Sequence, residues 1–150
     1  MIGLISCSAQ KLDRPAPARE LYCSPLFRKS LAYAERRCER VYVLSARHHL
    51  VELDTVHEPY EHRLGGVAER ERWGDAVACE LVARHGGDLA ALLLAGTEYV
   101  DPIRLGWLWT PGARELYIVD PLAGLQVGQR LRWLNEQLAE DGAPVAAGQD

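Results

Sequence analysis

The sequence predicts an α/β protein, a three-layer sandwich around a mostly parallel sheet of about four strands. Two observations carry that prediction. Apolar runs of strand length recur at Ile2-Gly3-Leu4-Ile5, Val41-Tyr42-Val43-Leu44, Leu89 to Ala95 and Glu115 to Val119. Between them lie longer segments with helical periodicity, so each run is followed by a stretch able to cross back over the sheet in a right-handed βαβ unit.

Residues 2 to 7 are apolar without alternation, the pattern of a strand buried on both faces. Ser8 to Leu21 reads as a loop, because Pro15 and Pro17 disfavour helix and the segment is long enough to fold over a ligand. Ser24-Pro25 supplies an N-cap followed by proline at the first helical position, and the helix should run to Arg37 with Leu26, Phe27, Ser30, Leu31 and Ala34 inward. Residues 40 to 45 form the second strand, and Ala46 to Ala68 a long polar segment. A second helix is expected from Glu69 to His85, stopped by Gly86-Gly87. Its first turn, Glu69-Arg70-Glu71-Arg72, reads as solvated. After the third strand, Gly96-Thr97-Glu98-Tyr99 reads as a loop; Tyr99 to Trp109 is ambiguous, with Pro102 able to open a short helix. The last helix should span Val127 to Ala139 with Val127, Leu131, Leu134 and Leu138 inward. Residues 1–140 are expected to be one domain, and 141–150 a flexible tail.

Composition narrows the function. At 150 residues, 48% hydrophobic and 25% charged, the chain has an ordinary globular balance, and its net charge of -4 does not favour nucleic acid as a partner. Cys7, Cys23, Cys38 and Cys79 contain no CxxC pair, so neither a zinc site nor a disulfide framework is indicated. No secretory leader or membrane-spanning run is visible, and the expected location is the cytoplasm.

The candidate site lies where strands end. In open α/β sheets ligands bind beyond the strand carboxyl ends. Here the first strand ends in Ser6-Cys7-Ser8-Ala9-Gln10-Lys11, and the second in Ser45-Ala46-Arg47-His48-His49, running on to Glu58-Pro59-Tyr60. Ser6, Ser8 and Lys11 are residue types that hold a phosphate or carboxylate. Cys7, with no obvious base beside it, reads as a small buried hydrophobe rather than a nucleophile.

Three stretches carry a family resemblance: Leu4-Ile5-Ser6-Cys7-Ser8-x-x-Lys11-Leu12, Ala18-Arg19-Glu20-Leu21-Tyr22-x-Ser24-Pro25-Leu26-Phe27, and Leu44-Ser45-Ala46-Arg47-His48 with Glu58-Pro59-Tyr60. Together they resemble the peroxide-stress YaaA-like family of small uncharacterised bacterial and phage proteins. The Ser-Cys-Ser-x-x-Lys element is also similar to a domain associated with archaeosine synthase. The resemblance implies a layout like that of uracil-DNA glycosylase, and nucleobase or nucleoside chemistry. Relatives of that kind carry glycine where this chain has His49.

On that basis the sequence is expected to encode an enzyme acting on a nucleoside, nucleotide or modified base, cleaving or exchanging an N-glycosidic bond. Catalysis falls to His48, assisting departure of the base, and Glu58, managing water or positive charge on the sugar. Substrate binding falls to Ser6, Ser8, Lys11, Tyr22, Ser45, Arg47 and Tyr60, with Tyr22 and Tyr60 sandwiching the ring. No cofactor or metal is demanded; His49, His57 and His62 read as loop residues. The rival is a non-catalytic nucleic-acid-binding stress protein, using a basic face of Arg14, Arg19, Arg28, Lys29, Arg36 and Arg37. A third possibility is an interaction domain, with oligomers formed through Trp107 and Trp109.

Overall fold

A computed structural model describes residues 1–142; of the tail expected at 141–150, Asp141 and Gly142 instead end the last helix, and 143–150 lie outside the described residues. The chain folds as a mixed α/β protein with a mostly parallel sheet of five strands. In chain order the elements are β1 (Ile2–Ser6), β2 (Ala16–Pro17), α1 (Ala18–Leu21), α2 (Pro25–Arg37), β3 (Arg40–Ser45), β4 (His49–Glu52), β5 (Val56–His57), α3 (Val67–His85), β6 (Leu89–Leu94), α4 (Thr97–Trp109), β7 (Leu116–Val119) and α5 (Val127–Gly142). The main sheet has the order β4-β3-β1-β6-β7, and β2 with β5 forms a separate ribbon.

β1 sits at the centre, parallel to β3 on one side and to β6 on the other. The chain first steps from β1 to β3, then returns past β1 to β6 and β7, so its direction of travel reverses beside β1. Such a reversal opens a crevice at the strand carboxyl ends. Strand residues alternate between two clusters, as the two-residue period requires. Leu4, Tyr42, Leu44, Ala91 and Leu93 pack with Trp73, Val77 and Leu81 of α3 and with Ile103 and Trp107 of α4. Ile5, Val41, Val43, Leu92 and Leu94 pack with Phe27 and Ala34 of α2 and Leu134 of α5. Both faces of the strands are thus covered, which explains why β1 reads as an unbroken apolar run.

The start of α2 is as expected: the Ser24 hydroxyl accepts from the Phe27 N–H, and Pro25 opens the helix. Four readings are corrected. The long polar segment contains β4, which pairs antiparallel with β3 and adds the fifth strand. It follows a three-residue loop, and its first residue, His49, has φ 64°, so histidine takes the left-handed conformation usually left to glycine. Tyr99 to Trp109 belongs to a full helix, α4, starting at Thr97 and carrying Pro102 inside it. In α5, Val127 is 62% exposed and only Leu134 is fully buried. Trp107 is a core residue whose indole donates to the Arg114 carbonyl at 3.3 Å, whereas Trp109 is exposed. No described helix is long and apolar enough to cross a membrane.

α3 and α4 approach closely because glycines face each other. A methyl group on Gly74 would overlap the Pro102 carbonyl and come within 2.7 Å of its Cβ, and one on Gly106 would come within 2.7 Å of the Gly74 carbonyl. Backbone cannot move aside as a side-chain tip can. Gly74→Val is therefore expected to lower unfolding free energy by about 1–3 kcal/mol or more, measured by urea denaturation.

Candidate functional site

Ser45 ends β3 and is completely buried. Its Oγ accepts from the backbone N–H groups of Arg47 at 3.2 Å and His48 at 2.9 Å, which closes the β3–β4 loop. The same oxygen lies 2.6 Å from the Tyr60 hydroxyl, and Tyr60 lies 2.6 Å from the Tyr22 hydroxyl. The Ser45 carbonyl accepts from the Trp73 indole at 2.8 Å. Burial, and then the neighbouring Cys7, raises the pKa of Tyr60, and burial raises that of Tyr22. Both phenols stay protonated and hold this chain of hydrogen bonds. Ser45 and Tyr22 have no surface to offer a ligand, and the Tyr22 and Tyr60 rings meet edge to face at 6.3 Å. That geometry leaves no slot for a base between them, which corrects the expected sandwich.

Lys11 stands on this scaffold. Its backbone is pinned because Leu12 N–H donates to Leu21 and Cys23 N–H to Gln10. Its ammonium lies 4.4 Å from the centre of the Tyr60 ring, a cation–π contact. From there it lines a cleft of about 460 Å³ at the carboxyl ends of β1 and β6. One wall is Ser6, Cys7, Ser8 and Ala9; the other is Thr97, Glu98 and Tyr99 at the start of α4, with His62, Arg63, Leu64 and Arg70 along the rim. The Ser8 hydroxyl donates to the Gln10 carbonyl at 2.7 Å and shapes the loop. Cys7 Sγ lies 3.5 Å from the Tyr99 hydroxyl, whose pKa is raised by burial first and Cys7 second. Glu98 folds back over Gly96, occupying the space a side chain there would need. Its carboxylate therefore rests on the positive end of α4.

The two expected catalytic groups lie elsewhere. His48 is half-buried, stacked on His57 with centroids 4.2 Å apart and edge-on to Tyr60 at 5.1 Å, and is not among the residues lining the cleft. Burial first, then the charges of His57, Arg47 and His49, lower its pKa below the usual imidazole value. Glu58 is exposed and lines no part of the cleft. Arg47 lines a separate hollow with His49, Arg72 and Trp73. Thus Tyr60 contacts both Lys11 and His48, but only Lys11 faces the cleft. Glu98, Arg63 and Arg70 were missed in the sequence. Glu98 follows the third strand as Ser8 and Lys11 follow the first, so the same strand-end rule points to it.

Half of the expected basic face is paired with acids from other segments. Arg19 pairs with Glu35 and Asp54, and Arg36 and Arg37 pair with Asp141. Lys29 donates to Asn135. Among the described residues no group of three or more His, Cys, Asp or Glu converges to hold a metal ion.

Fold and site together define a mixed α/β protein with a cation-lined cleft where the chain reverses direction. Residues 2–136 match the sequence model of a family of unknown function, DUF6884, and the chain belongs to that family. No curated protein matches it. The family assignment corrects the expected membership of the YaaA-like family and the link to the archaeosine-synthase domain, since nothing found connects the chain to either.

Two outcomes follow. Tyr60→Phe leaves the buried hydroxyls of Ser45 and Tyr22 without their shared partner, and should cost about 1–3 kcal/mol in urea unfolding. His48, with its folded-state pKa lowered, takes up a proton more readily in the unfolded chain. Its contribution to stability is complete above about pH 6.5 and is lost as the pH falls below that value. The urea midpoint should therefore drop more between pH 7 and pH 5 in the wild type than in His48→Phe; equal drops would remove His48 from the account.

Proposed function

We infer that the protein is an enzyme acting on a phosphorylated nucleoside, and that it cleaves or exchanges the N-glycosidic bond in the cleft between β1 and α4. The observation that carries this reading is the cleft's lining: Lys11, Arg63 and Arg70 around hydroxyl groups, with Glu98 as its one carboxylate among the described residues. The three cations suit a phosphate. A volume of about 460 Å³ is in the range of small-molecule sites. A carboxylate facing them suits a water or the positive charge that develops on a sugar as its base departs. Glu98 takes the role first expected of Glu58. His48 becomes a positioning residue that acts through Tyr60 on Lys11. The architecture is read here as a three-layer sandwich, supported by the two separate clusters on the sheet. The glycosylase-like layout loses its ground along with the resemblance that suggested it. The pairing of Arg19, Arg36 and Arg37 with acids argues for a small ligand over nucleic acid.

Calorimetric titration with nucleoside monophosphates, with inorganic phosphate as the reference, tests the binding half. Lys11→Ala should weaken binding tenfold or more, the effect of one charge-assisted contact of about 1.5–3 kcal/mol. Chromatography of the reaction for free base tests the other half: Glu98→Gln should abolish release while retaining binding. Absence of nucleotide binding would overturn the proposal, and binding without base release would overturn its catalytic part.

A further inference from the structure

β7 is the outermost strand of the sheet and is paired only with β6. Its residues, Leu116-Tyr117-Ile118-Val119, include no charge, proline or glycine. Edge strands in natural proteins are usually blunted by such residues, because open backbone groups pair readily with another strand. The opposite edge, β4, is guarded: Glu52 sits at its end within reach of Arg84 and Arg40. Beside β7 the surface is also apolar. Leu105, Leu108 and Trp109 of α4 are 42%, 74% and 75% exposed, and Tyr117 is 68% exposed. Between α4 and β7 lies a hollow of about 480 Å³ lined by Leu105, Trp107, Leu108 and Leu116, with Asp101, Arg104 and Arg114 at its margin.

We propose that this face joins two copies of the chain, β7 pairing antiparallel with β7 of the partner subunit to make one continuous sheet. A two-fold interface needs a surface complementary to itself, and this one carries both projecting aromatic rings and an apolar hollow. The area is adequate. The four exposed side chains present roughly 450 Å² of apolar surface per copy, while a stable interface buries about 800 Å² per partner, a little over half of it apolar. Charge selects the register. Pairing centred on Tyr117 places Arg114, whose guanidinium also holds Asp88 of its own chain, opposite Asp120 of the partner subunit, twice by symmetry. Pairing centred between Tyr117 and Ile118 would set Glu115 against the partner's Asp120, a repulsive pair. In the favoured register Leu116 and Ile118 face the α4 side, where they belong to the same cluster as Ile103 and Trp107. The symmetry then brings Leu108 and Trp109 of both copies together over that side of the joined sheet. Tyr117, on the other side, meets its own copy at the axis.

Sedimentation velocity on the full chain at tens of micromolar should show a dimer. Leu108→Asp with Trp109→Asp, at two exposed positions whose replacement leaves the core intact, should give a monomer with an unchanged circular dichroism spectrum. The register has its own test. Residues directly opposite across an antiparallel pair have Cβ atoms about 4.5–5.5 Å apart, so Tyr117→Cys should form a disulfide between subunits under oxidised glutathione, located by peptide mass spectrometry. A monomeric wild type overturns the proposal, as does a dimer insensitive to the double substitution. A dimer in which Cys replaces Tyr117 without cross-linking overturns the register.

Discussion

The hydroxyl of Ser45 is wholly removed from water, yet it accepts two backbone N–H groups and forms a hydrogen bond with the Tyr60 hydroxyl. A buried hydroxyl left without partners would cost about 1–3 kcal/mol, so the loop after β3 has little freedom to adopt another shape. Through Tyr60 the same oxygen ties in Tyr22, and with it the segment after α1 that bridges Lys11. Through the Ser45 carbonyl it ties in Trp73 and therefore α3. Four distant parts of the chain are held in register by one residue at a strand end. The position of the Lys11 ammonium, over the Tyr60 ring, is a consequence of that arrangement.

The fold was legible where local signals and tertiary packing agreed. β1, β3 and β6 are apolar on both faces and α2 carries a cap and a proline, so each was found nearly to the residue. β4 was missed because four residues between polar neighbours carry little periodicity, and because His49 takes a backbone conformation for which glycine is the usual marker. α4 was cut short because Pro102 was read as a start, whereas α4 accommodates it in its interior. The candidate site was legible in place but less so in its members. Strand ends identified Ser6, Ser8 and Lys11, but no pattern in the residues announces that Tyr22 and Ser45 turn inward to each other. His48 and Glu58 had the right chemistry for catalysis. Only the packing of His57 on the imidazole, and the outward course of the chain at Glu58, take them out of the cleft.

Charge is partitioned in the same way. The chain is acidic overall, and the cations of α1 and α2 are mostly spent on internal carboxylates. Lys11, Arg63 and Arg70 converge on one hollow, where a single acid faces them. A local field of opposite sign to the whole molecule is a stronger indication of a small anionic ligand than of an extended polyanion, whose approach the net charge opposes.

The interlock of Gly74 with Pro102, and of Gly106 with Gly74, has a mechanical consequence. Helices whose backbones touch cannot slide or tilt against each other without a steric collision, so α3 and α4 behave as one rigid block. Arg70 near the start of the first and Glu98 near the start of the second belong to that block. Their spacing across the cleft mouth is then preset. The width of the cleft along that wall is therefore set by backbone contact between two helices, not by the side chains that line it.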